Sequence, residues 1–70
     1  MAEAQELSPE QQDRRRRLID AAVELGAEGG YEAVQMRDVS VTANVALATI
    51  YRYFSSKDDL LAAAMTEWTG

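Results

Sequence analysis

Seventy residues with a formal net charge of −5 make one small domain, too short to enclose a substrate cleft. There is no Cys and no His, which removes disulfides, thiol nucleophiles, zinc–thiolate sites and any Ser-His-Asp triad. No catalytic residue, cofactor or metal is therefore expected, and the chain reads as something other than an enzyme.

The opening MAEAQELSPEQQD is acidic and polar, with neither the basic start nor the apolar stretch of a secretory signal. Residues 1–7 read as a disordered tail and 8–70 as the folded domain. Ser8-Pro9-Glu10-Gln11 opens a helix: Ser8 is the N-cap, Pro9 occupies the first helical position, and Gln11 completes a capping box. Leu18, Ala22, Leu25 and Gly29 recur at helical spacing as its inner face, while Asp20, Glu24 and Glu28 step along a wet one. Gly29-Gly30 should end it through a left-handed C-cap, with Tyr31, Ala33 and Val34 tying the connection to the core. The run Arg14, Arg15, Arg16, Arg17 has two readings. It is a basic arm lying on phosphates or reaching a minor groove, or it is a solvated helix start in which Asp13 and Arg17 pair four apart.

A second short helix is expected over Met36–Ala43, with Val39 and Ala43 inward and Ser40 small enough for another helix to cross closely. Asn44 favours the left-handed conformation, so Ala43-Asn44-Val45 reads as a tight turn. A third helix covers about residues 46–54. Ser55-Ser56 breaks it, and Ser56 caps a fourth with Asp58 and Asp59 in the first turn. Leu60, Leu61, Ala64, Met65 and Trp68 give that helix an apolar face. The longest apolar run, LLAAAM, is far short of the roughly 20 residues needed to span a bilayer. No membrane partner is expected, and the location reads as cytoplasmic.

Short helix, sharp turn, short helix is the helix-turn-helix outline, in which the second helix enters the major groove. At about 100° per residue, Ile50 and Phe54 turn together toward the core. Ala48, Thr49 and Arg52 fall opposite, with Tyr51 and Tyr53 on the flanks. Between Met36 and Lys57 there are three bases, Arg37, Arg52 and Lys57, against one acid, Asp38, so this segment is locally positive within an acidic chain. The bland alternative makes the tyrosines half-buried packing residues and Arg52 a solvated charge. The turn, the small outer residues and the basic balance together favour DNA. A reading from another class is a small helical protein-interaction module that uses the apolar face of residues 60–68.

The segment GGYEAVQMRDVSVTANVALATIYRYFSSKDDLL resembles the DNA-binding domain of the tetracycline-repressor (TetR) family over about residues 14–68. The most specific part is Thr49-Ile50-Tyr51-Arg52-Tyr53-Phe54 followed by Ser56-Lys57 and Leu60-Leu61. The wording around GGYEAVQMR and YRYF is further similar to actinobacterial repressors of sterol and lipid catabolism. The resemblance implies an all-α, homeodomain-like three-helix helix-turn-helix bundle plus the start of a fourth helix. It implies that Arg37 reaches a base edge or phosphate, that Leu47, Ala48 and Thr49 read bases, and that Tyr51, Tyr53 and Lys57 contact phosphates. It also implies a double-stranded DNA operator as partner, a homodimer in a full-length form, and repression relieved by a small-molecule effector. Effector pocket and dimer interface belong to a longer helical body, so this chain reads as the part without the ligand-binding and dimerisation domain.

Four departures from the family's pattern stand out. Ala46 replaces the usual Ser cap of the recognition helix, an exchange worth about 0.5–2 kcal/mol. Gln35 replaces a Thr cap, Asn44 replaces a Gly, and Gly26 stands where Phe is common, so the core must be filled from elsewhere. Leu47 and Ala48 cannot hydrogen-bond a base and would favour thymine methyl groups, which leaves base-specific hydrogen bonds to Arg37, Thr49 and Arg52.

Overall fold

The fold is a computed structural model that describes residues 7–67, in which four helices, α1 (Pro9–Gly29), α2 (Met36–Ala43), α3 (Leu47–Tyr53) and α4 (Lys57–Glu67), appear without a strand among the described residues. The capping box at the head of α1 is complete. The Gln11 N–H donates to Ser8 Oγ at 3.2 Å, and the Ser8 N–H donates to Gln11 Oε1 at 2.8 Å. Of the expected tail, residues 1–6 lie outside the described residues. Leu7 is not loose: it is half-buried, and its carbonyl accepts from the Gln12 side chain at 2.9 Å.

α1 is the spine, packing on both α2 and α4. Its buried face is Leu18, Ile19, Ala21, Ala22 and Gly26, with Leu25 half-buried. Gly29, expected inside, is exposed because the face drifts round by the last turn. Asp20, Glu24 and Glu28 are in water as anticipated. The helix stops at Gly30, but not in left-handed helical geometry: φ 89° with ψ 149° is an extended backbone of positive φ, open essentially to glycine alone. Gly30 N–H still donates to the Gly26 carbonyl at 2.7 Å, satisfying one orphan carbonyl of the helix end.

A single 3₁₀ turn, Tyr31–Ala33, follows, and Val34 is buried beyond it. The Tyr31 ring occupies the space over Gly26, where an added Cβ would stand 2.6 Å from the ring carbons. This is how the gap left by a Gly in place of a Phe is filled: an aromatic ring arrives from the next element.

Between α2 and α3 the chain turns on Asn44, at φ 58° and ψ 46° the one non-glycine residue of positive φ among the described residues. Ser40 was expected to matter for its size. It matters instead for its hydroxyl, which donates to the Val45 carbonyl at 2.7 Å while the Ser40 carbonyl accepts the Val45 N–H at 3.1 Å. This two-way clasp fixes the elbow, and Val45 is pressed into the core. α3 is one residue shorter at each end than the expected 46–54, with Ala46 and Phe54 as its caps. Ile50 is wholly buried and Phe54 nearly so. Burial of a side chain such as Ile50 contributes about 1.5–3 kcal/mol.

α4 opens on Ser56, whose Oγ accepts the Asp59 N–H at 3.2 Å. Its inner face is Leu60, Ala63 and Ala64, with Leu61 half-buried. Met65, expected on that face, is 69% exposed, and Ala63 takes the inward place. Trp68 lies outside the described residues. Of the apolar face expected for protein interaction, Leu60 and Ala64 are taken up by the domain's own core and Leu61 in part, while Met65 stays exposed. No helix among the described residues is long and apolar enough to cross a membrane.

Candidate nucleic-acid interface

Two constraints aim α3. Ile50 and Phe54 anchor its inner side, and the Ser40–Val45 clasp sets the angle at which it leaves α2. What remains outward is Leu47 at 42% exposed, Ala48, Tyr51 at 49% exposed and Arg52, with Thr49 half-buried beside them. The two small residues leave room for close approach of a groove floor. The first turn of α3 carries no acid, and Ala46 makes no side-chain cap. Arg37 is exposed at the second position of α2, and Lys57 is half-buried at the first position of α4.

The two tyrosines are not equivalent flanks. Tyr51 stands in solvent, whereas Tyr53 is half-buried, packs against the core, and accepts a 3.4 Å hydrogen bond from Arg14 Nη1. Lys57 shares the first turn of α4 with Asp58 and Asp59, and Ser56 caps that turn.

The arginine run is helical rather than extended. All four residues lie inside α1, and their side chains diverge. Arg15 makes a two-pronged bond to Glu67, at 2.6 and 2.9 Å, with its guanidinium carbon 5.1 Å from the Phe54 ring centroid. Arg16 meets Asp20 at 3.4 Å, and Arg17 meets Asp13 at 3.2 Å, the pairing anticipated four apart. The hydrogen bond from Arg15 holds the Glu67 carboxyl below its ordinary value and raises the guanidinium in turn.

Seven bases thus divide into two sets. Arg15, Arg16 and Arg17 are neutralised within the molecule. Among the described residues, Arg14, Arg37, Arg52 and Lys57 have no carboxylate at ion-pair distance, and the last three include every base of the expected interface. Nor do acidic side chains converge as metal ligands would, among the described residues. The engagement of Arg15 with a residue 52 positions away was invisible to a local reading, which sees only spacings of three and four.

Residues 18–64 match the family described as bacterial regulatory proteins, tetR family. The chain is 49% identical over 65 residues to the HTH-type transcriptional repressor KstR of Mycobacterium tuberculosis, covering 93% of this chain and 30% of that protein. It is 54% identical over 55 residues to KstR of Rhodococcus jostii, covering 79% and 26%. A fatty acid metabolism regulator protein of Bacillus subtilis is 45% identical over 53 residues, covering 76% and 27%. The chain therefore spans less than a third of the length of these relatives. With a matching helix-turn-helix, an inner face closed by Ile50 and Phe54 and an outer face of uncompensated bases, the chain belongs to the tetR family of bacterial regulatory proteins and holds that family's DNA-binding domain.

Proposed function

We propose that α3 is the recognition helix of a sequence-specific operator-binding domain, and that the longer protein is a cytoplasmic homodimeric repressor released by a small ligand. One observation supports this above the rest: the outward face of α3 joins small residues, a hydroxyl, a phenol and the cation Arg52, while its apolar side is sealed in the core. In this reading Leu47 and Ala48 rest on thymine methyl groups. Thr49, Arg37 and Arg52 supply polar contacts at the groove. Tyr51, Tyr53 and Lys57 grip the backbone on either side. Two such helices must reach major grooves about 34–36 Å apart, the geometric reason for a dimer. The relative named fatty acid metabolism regulator protein, with the resemblance to repressors of sterol and lipid catabolism, supports lipid metabolism as the regulated class.

The test is titration of labelled duplex over a range of salt with Tyr51→Ala and Lys57→Ala. Both should weaken binding evenly across sequences, and the Lys57 change should lower the log–log salt slope by about 0.9. Leu47→Ala and Thr49→Ala should instead change discrimination between sites, by about 1–3 kcal/mol for a lost base contact. Unaltered binding by both the Tyr51 and Lys57 variants would end the assignment.

A further inference from the structure

We infer that the cleft between the start of α1 and α3 is a phosphodiester-binding site, with Arg14 and Arg52 as its cations, and that a DNA strand fills it. The inference rests on the operator-binding reading above. The cleft has a volume of about 220 Å³ and is lined by Leu7, Gln11, Arg14, Thr49, Arg52 and Tyr53. Every polar side chain among these can donate a hydrogen bond, and no carboxylate lines it. Its two guanidiniums are the pair without ion partners among the described residues on this side of the molecule, and Arg14 is half-buried, where a charge is less screened than in open water.

The Arg14–Tyr53 contact has a chemical consequence. Because the phenol oxygen accepts from Arg14, its single proton is left to be donated elsewhere. A phosphodiester brings two non-bridging oxygens, which match a guanidinium fork and leave a lone pair for that phenol. The four-arginine run then has a division of labour. Arg15, Arg16 and Arg17 hold the fold's own acids, and Arg14 alone works outward. Arg52 becomes a backbone anchor, which leaves base-specific hydrogen bonds to Arg37 and Thr49.

Duplex titration of the 70-residue chain across salt tests this, with Arg14→Gln, Arg14→Lys and Arg16→Gln. Loss of one phosphate contact should lower the salt slope by about 0.9 in Arg14→Gln. Arg14→Lys should keep the slope and lose affinity with the fork, and Arg16→Gln should match the parent. Equal slopes for Arg14→Gln and the parent, with a lowered slope for Lys57→Ala, would overturn the cleft but keep the recognition helix. No change in either would remove both. A single methylphosphonate linkage, moved along the duplex, should weaken the parent at one position and leave Arg14→Gln indifferent there. Titration of inorganic phosphate followed at the Thr49 amide distinguishes a strand site from a small-anion site. Saturation by inorganic phosphate that duplex fails to displace would overturn the assignment to DNA.

Discussion

At the scale of single residues, Gly26 and Tyr31 show how a missing side chain is replaced. Helix interiors favour Ala over Gly by about 1 kcal/mol, so Gly26→Ala should stabilise α1 if nothing opposed it. Here the new methyl would meet the Tyr31 ring at 2.6 Å, and the ring must leave its seat. Gly26→Ala should therefore gain nothing or lose stability in the parent, yet gain about 1 kcal/mol in a Tyr31→Ala background. Urea denaturation of the four proteins of that cycle measures the coupling, and purely additive effects would refute it. The sequence disclosed the vacancy, because a Gly stood at a position suited to a large aromatic. It also disclosed that Tyr31 belongs near the core. That one fills the other was not legible, since nothing in the spacing of residues 26 and 31 tells where a ring goes after a break at Gly30.

At the scale of elements, the boundaries were read well wherever a local chemical signal marks them. The Ser8 capping box, the left-handed Asn44 and the Ser56 cap all sit where residue chemistry placed them, and α2 runs over the expected residues. The ends of α3 were a residue too generous because neither carries such a signal: Ala46 offers no side-chain acceptor and Phe54 is held by packing. Ala46 has extended backbone, φ −58° and ψ 143°, so a hydroxyl there can turn toward the first N–H groups of α3. Ala46→Ser should raise stability by about 0.5–2 kcal/mol, read from the thermal midpoint. A lower midpoint would show that the recognition helix starts differently. Ser40 teaches the complementary lesson. Its position on the inner side was legible, but its hydroxyl bond to a carbonyl five residues on depends on the turn already being made.

At the scale of the molecule, one guanidinium joins three elements: Arg15 of α1 lies over Phe54 at the end of α3 and grips Glu67 at the end of α4. The side chains are 30% and 46% exposed, so the pair contributes no more than about 1 kcal/mol, the upper range for surface ion pairs. Its pH dependence has a definite sign. The folded Glu67 carboxyl is held below its ordinary value of 4.5, so the contribution is complete above that pH and disappears as pH falls through the lowered folded value. Glu67→Gln should therefore be less stable than the parent at neutral pH and equal to it in strong acid. Chemical denaturation at both pH values checks this, and a gap that persists in acid would refute it. Sequence patterns missed this junction because its members are brought together only when the helices are packed. The same packing sorts the sulfur atoms of the described residues: Met36 is buried at the start of α2 and Met65 faces water. Peroxide would thus reach the thioether of Met65 and leave a harmless sulfoxide in solvent, while that of Met36 is shielded by the architecture that its own oxidation would disrupt.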